Sequence, residues 1–191
     1  MLIHLPNTLS VLRIALVPVL ILLLKDRDYT MALAVFLVSG VSDALDGFLA
    51  KRLGLMSRLG AILDPAADKI LLVSSYVMLT LLGHIPFWLL LSVAFRDLLI
   101  VGGYLVYTSL AGAVQMRPSR LSKLNTFMQI SLVAAILLEQ AAFLRIPYLT
   151  DGLVVAVLAT TVASGAHYLW AWGIRKDIES ATGPGGHNRH G

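Results

Sequence analysis

Long apolar runs separated by short polar breaks dominate this chain, and six of them are long enough to cross a bilayer as helices. Reading from one break to the next places spans near residues 9–24, 31–50, 62–83, 86–111, 121–144 and 151–174. Each is close to the ~20 residues that cover ~30 Å of hydrocarbon at a rise of ~1.5 Å per residue. The runs are too long for strands, so the expected fold is all-α and integral to a membrane, with six transmembrane helices and a short N-terminal interfacial segment. That segment, residues 1–10, is amphipathic and contains Pro6 and Asn7. It is expected to lie along the interface before the chain enters the bilayer. No basic region precedes the first apolar run and no small-residue cleavage site follows it, so this start is not expected to be a removable signal. At the other end, Gly183, Pro184, Gly185 and Gly186 sit in polar sequence. Residues 1–175 are expected to form one domain and 176–191 a disordered cytoplasmic tail, with His187 and His190 solvated.

Composition agrees with this pattern. The chain of 191 residues is 58% hydrophobic and 14% charged, with a mean hydropathy of +0.81. That balance excludes an ordinary soluble domain, and six spans leave no room for a separate one. The absence of cysteine excludes disulfides, thiolate metal ligands and a cysteine nucleophile. The net charge of +4 becomes informative once located. With the N-terminus cytoplasmic, the inner connections hold Lys51, Arg52, Arg58, Arg117, Arg120, Lys123, Arg175 and Lys176, and the outer ones only Lys25, Arg27 and Arg145. The positive-inside rule then places both termini in the cytoplasm, as for a multi-pass protein of a bacterial inner membrane. The basic residues flank membrane spans, and no nucleic-acid partner is expected.

Against this background Asp43, Asp46, Asp64 and Asp68, all within 26 residues, stand out. A carboxylate at the centre of a membrane helix costs roughly 2.5 to 3.5 kcal/mol on insertion scales, so a cluster of four marks a site for cations or a charged substrate. Asp43 and Asp46 are three apart and Asp64 and Asp68 four apart, so each pair can project from one face of a helix. Four hard oxygen donors suit Mg²⁺ or Mn²⁺, and two such ions can clamp a pyrophosphate. Gly47, Ala50 and Gly60 border the acids with small side chains, which admit a bulky group or close helix packing. Pro65 is compatible with a helix whose first turn holds Asp64.

Written as a string, the segment is Asp43, two residues, Asp46-Gly47, two residues, Ala50-Lys51, eight residues, Gly60, three residues, Asp64, three residues, Asp68. It resembles the signature of the CDP-alcohol phosphatidyltransferase family at every fixed position but one, where Lys51 stands in place of the usual Arg. Lys offers a point charge where Arg offers a bidentate fork. Pro6-Asn7-Thr8-Leu9-Ser10 with Arg13, and Leu63 to Ile70, are similar to the branch that makes phosphatidylglycerophosphate and cardiolipin. Arg96-Asp97 and the stretch from Arg117 through Thr126 with Gln129 look most like the cardiolipin-forming members. The likeness covers about residues 5–175.

The resemblance implies transfer of a phosphatidyl group from CDP-diacylglycerol to an alcohol, with release of CMP. By position, Asp43, Asp46 and Asp64 would be metal ligands, and Asp68 would complete the site and act as general base. Asn7, Asp46, Gly47, Ala50, Lys51 and Gly60 would border the cytidine diphosphate. The acceptor is expected to be phosphatidylglycerol, with glycerol 3-phosphate as the alternative, and a homodimer is implied by the family alone. Arg117, Arg120 and Lys123 are candidates for the acceptor phosphate, or anchors for the fifth span. Arg96, beside Asp97 inside a span, is either an internal ion pair or a ligand to that phosphate. Glu139, Gln140, His167 and Tyr168 read as interfacial or packing residues. A cation transporter is a competing class, since intramembrane acids also carry cations. All four acids lie toward one face and no inverted repeat with broken helices is evident, which argues against it. A scaffold would need none of the four.

Overall fold

The computed structural model describes the backbone of residues 5–53, 60–111, 120–142 and 146–181, and side chains over 12–42, 67–103, 120–142 and 146–170. It is all-helical over the described residues: α1 (Leu5–Lys25), α2 (Tyr29–Leu53), α3 (Gly60–Leu81), α4 (Phe87–Ala111), α5 (Arg120–Ala142) and α6 (Leu149–Ala181). Three boundaries differ from the sequence reading. Residues 5–10 continue into α1 without a break, Pro6 falling in its first turn, where a missing N–H is harmless. α3 begins at Gly60, so Asp64 and Pro65 lie in its second turn; Ala61, Ile62 and Leu63 extend the helix toward its N-terminus, and proline removes one ladder bond without ending it. α6 runs on to Ala181, past the boundary expected at 175, while residues 182–191 lie outside the described part.

Short turns on one end join the helices in pairs, and their chemistry is local. After α1, Arg27 N–H donates to Leu24 O and Asp28 N–H to Leu23 O, the paired bonds of a Schellman stop, with Arg27 at φ 58°. Asp28 Oδ1 then accepts the Met31 N–H at 3.1 Å and caps α2. After α3 the same stop recurs: Gly83 N–H donates to Thr80 O and His84 N–H to Leu79 O, with Gly83 at φ 84°. The two turns meet where the Tyr29 hydroxyl and His84 Nε2 are 2.9 Å apart and the two rings pack edge to face. Burial, reinforced by the Arg27 charge, holds the His84 pKa below its usual value.

The six helices close a ring. α3 packs on α1, α1 on α2, α2 on α5, α5 on α6 and α6 on α4, and α4 returns to α3 through a much smaller contact. A similarly small contact joins α3 to α5 across the middle. The core is built at helical spacing from Leu20 and Leu24, from Leu72, Tyr76 and Leu79, from Leu89 and Val93, and from Leu132, Val133, Ile136 and Leu137.

Polarity is inverted relative to a soluble bundle. Arg13, Ser39, Ser75, Arg96, Asn125, Gln129, Thr161 and Ser164 are buried, whereas Leu22, Phe95, Leu98, Phe127 and Trp170 are exposed. An apolar exterior around a polar interior matches a hydrocarbon solvent, in which packing and hydrogen bonds, more than apolar burial, hold helices together. Asn125 shows the pattern, its Oδ1 accepting from the hydroxyls of Thr160 and Thr161 at 2.9 Å each. Among the described residues two stretches meet the length and hydropathy of a membrane span, Arg120–Ala142 and Leu149–Trp170. The protein is thus an all-helical, membrane-associated bundle.

Candidate active site

Asp68 lies on the third turn of α3, where α2, α3 and α5 enclose a cavity of about 340 Å³. Phe36, Ser39 and Gly40 of α2, Asp68, Lys69 and Leu72 of α3, and Thr126 and Ile130 of α5 are among its walls. The walls are chiefly apolar. The Ser39 hydroxyl is buried with no hydrogen-bond partner among the described residues, and the Asp68 side chain is about half exposed, 46%. Asp43 follows Gly40 on α2 by less than one turn, and Asp64 precedes Asp68 on α3 by one. The helices that bear the four acids therefore both wall this cavity.

Only one of the four carboxylates falls among the described side chains. Those of Asp43, Asp46 and Asp64 lie outside them, as do Asn7, Gly47, Ala50, Lys51 and Gly60 of the expected cytidine diphosphate site, and Arg117. No cluster of three or more acidic or imidazole groups occurs among the described residues. Hard carboxylate oxygens suit a divalent cation, and both helices that carry them wall the cavity to which Asp68 is open.

Two arms of charge reach Asp68 and its neighbour. From α1, the buried Arg13 places Nη1 2.5 Å from Asp68 Oδ1. From α4, Asp97 Oδ2 forms an ion pair with the Lys69 ammonium. Asp97 Oδ1 accepts from Arg96 Nη1 at 2.9 Å, and Arg96 is buried. Its Nη2 donates to Ser122 Oγ of α5 at 2.6 Å and to Ser164 Oγ of α6 at 2.8 Å, while Nε reaches Ser164 Oγ at 3.2 Å. Gly165 follows Ser164 and meets the Arg96 side chain at its Cγ, which a Cβ on the glycine would approach to 4.0 Å.

These contacts sort the remaining candidates. Arg96 is directed into Asp97, Ser122 and Ser164, the internal pairing that sequence left as one of two options. Arg120 and Lys123 are exposed at the start of α5, and neither belongs to the lining of the Asp68 cavity. Arg96 is bonded to Ser122, which stands between Arg120 and Lys123 in the first turn of α5. Sequence reasoning gave no role to the Arg13–Asp68 and Lys69–Asp97 pairs, to Ser39 or to Ser164. A signal for the pairs was present, because the spans carry Arg13, Lys69 and Arg96 against Asp68 and Asp97, and intramembrane charges pair.

The chain belongs to the CDP-alcohol phosphatidyltransferase family, whose model matches residues 3–166. Among its relatives is a human protein named cardiolipin synthase (CMP-forming), 38% identical over 146 residues, which cover 68% of this chain and 48% of that protein. A Mycobacterium tuberculosis H37Rv protein named putative cardiolipin synthase is 41% identical over 98 residues, covering 51% of this chain and 47% of the relative. A Bacillus subtilis strain 168 protein is named CDP-diacylglycerol-glycerol-3-phosphate 3-phosphatidyltransferase. It is 29% identical over 187 residues, covering 88% of this chain and 95% of the relative. The chain spans about half the length of the human and mycobacterial relatives it matches.

Proposed function

We propose that this protein makes cardiolipin, transferring the phosphatidyl group of CDP-diacylglycerol to a free hydroxyl of phosphatidylglycerol. The observation that carries the reading is the position of Asp68, at the end of a family signature that departs only at Lys51, and open to a cavity between α2, α3 and α5. The hydroxyl oxygen attacks the β-phosphorus of the donor, and a new P–O bond forms as the bond to CMP breaks. Asp68 takes the hydroxyl proton, and CMP leaves with the bonding electron pair. Asp43, Asp46, Asp64 and Asp68 would hold one or two Mg²⁺ or Mn²⁺ ions, which would neutralise charge on the pyrophosphate. Asn7, Gly47, Ala50, Lys51 and Gly60 would border the cytidine diphosphate.

Arg13 keeps the Asp68 carboxylate directed, and the apolar walls around Leu72 and Ile130 keep water from competing with the lipid hydroxyl. Arg117, Arg120 and Lys123, at the membrane surface, would attract the acceptor phosphate. The remaining parts of the reading concern the membrane. All six helices would span it, with both termini and the aspartates on the cytoplasmic side of a bacterial inner membrane, and the protein would act as a homodimer. The inverted polarity of the bundle and the inner bias of basic residues support the first two.

Glycerol 3-phosphate is the competing acceptor, favoured by the Bacillus relative, which this chain matches over 95% of its length. Purified protein with Mn²⁺ and CDP-diacylglycerol, given each acceptor separately, decides between them through CMP release and lipid product. Consumption of glycerol 3-phosphate alone would overturn the cardiolipin assignment. In the same assay Asp68→Asn should abolish CMP release while the protein stays folded, and undiminished turnover would remove Asp68 from the mechanism.

A further inference from the structure

Among the described residues the helix ring is weakest where α4 returns to α3, and the Lys69–Asp97 ion pair lies across that seam. Neighbouring residues on an α-helix point about 100° apart. Asp68 is tied to Arg13 of α1, and Lys69 to Asp97 of α4. A second tie about 100° from the first adds to the packing of α3 on α1 a restraint on the rotation of the helix about its own axis. Asp97 is itself held at 2.9 Å by Arg96, which is bonded in turn to Ser122 and Ser164. The second tie is therefore anchored in α5 and α6 as well as α4.

We propose that Asp97 and Arg96 are positioning residues: by holding Lys69 across the α3–α4 seam they fix the rotation of α3, and with it the direction of the Asp68 carboxylate in the active-site cavity. This rests on the functional reading above only in naming that cavity the active site. Arg96 on this account binds no substrate, because its donors are engaged by Asp97, Ser122 and Ser164. A roll of α3 would carry Asp64 and Asp68 together, since positions four apart share one helix face.

The test uses the full chain in lipid nanodiscs, with Mn²⁺ alone as the probe, followed by electron paramagnetic resonance, and with steady-state kinetics beside it. Lys69→Met is the informative variant, because it breaks the seam and leaves Asp97 still paired with Arg96. Removing a cation beside carboxylates should on Coulomb grounds strengthen Mn²⁺ binding. The proposal expects the opposite: Mn²⁺ affinity falls about tenfold, as for loss of an outer partner of a metal ligand, and kcat falls with it while KM for the donor stays within about twofold. Asp97→Asn should do the same, and Lys69→Arg should restore both quantities. Unchanged or tighter Mn²⁺ binding in Lys69→Met overturns the proposal, as does a rise in KM without loss of kcat. If the wild-type protein releases no CMP with either acceptor while the Mn²⁺ pattern holds, the functional reading fails and the positioning role stands. Should Asp97→Asn not fold, Lys69→Met and Lys69→Arg carry the test by themselves.

Discussion

Ser164 Oγ lies 2.8 Å from Arg96 Nη2 and 3.2 Å from Arg96 Nε, so a single hydroxyl on α6 accepts from two donors along one edge of a guanidinium on α4. Ser164→Ala would leave Nε without an acceptor in a buried site. The expected cost is about 1–3 kcal/mol, measured as a lower midpoint of unfolding in detergent. In an Arg96→Met background the same serine change should cost far less, because the donors it serves are gone. A double-mutant cycle reads that coupling directly.

Gly165 suggests a tight helix crossing that forbids a side chain, yet the structure leaves room. A Cβ there would meet Arg96 Cγ at 4.0 Å, an ordinary van der Waals distance. Gly165→Ala should therefore be tolerated and should gain up to about 1 kcal/mol from helix propensity, visible as a raised unfolding midpoint.

The paired turns after α1 and α3 make opposite predictions. Gly83 sits at φ 84° with open space around the missing Cβ, so Gly83→Ala should cost about 1 kcal/mol through backbone strain alone. Arg27 occupies the corresponding position at φ 58° with a side chain in place. Arg27→Gly should therefore be stabilising, by up to about 1 kcal/mol, as judged by thermal unfolding at neutral pH.

His84 gives the fold a dependence on acidity. Its pKa is lowered in the folded state, first by burial and then by Arg27, so the unfolded chain takes up a proton more readily than the folded one. The contribution is fully present above the unfolded value of about 6.5 and is lost as pH falls through the lower folded value. A neutral ring can accept the Tyr29 hydroxyl proton at Nε2, and a protonated ring cannot. Unfolding midpoints measured from pH 7.5 to 5 should fall on the acid side for the wild type. His84→Phe should flatten that fall, and Arg27→Gly should make it smaller, because removing a charge that opposes protonation raises the folded pKa toward the unfolded one.

Much of the architecture could be read in advance because long apolar runs bounded by polar breaks favour helices. The six apolar runs became six helices, and errors were confined to ends such as Pro65 and Ala181, where a helix continues through residues of weak preference. Of the four aspartates that the sequence singled out, Asp68 is the one whose side chain is described, and it opens on the cavity between α2, α3 and α5. Which charge meets which was not legible. Arg13 finds Asp68 across 55 positions and Arg96 finds Ser164 across 68, and those choices follow from how the ring of helices closes. Arg96 shows the limit most clearly, since its sequence neighbour Asp97 suggested a pair but gave no hint of the serines on α5 and α6.

The small α3–α4 contact bears on how the protein is made. α4 precedes α5 and α6 in the chain, so Arg96 is synthesised before Ser122 and Ser164. Until those follow, Asp97 is the one of its three partners already present. Ser164 of α6 therefore completes a shell of acceptors that begins with Asp97 on α4 and widens with Ser122 on α5, one partner from each of three helices in chain order.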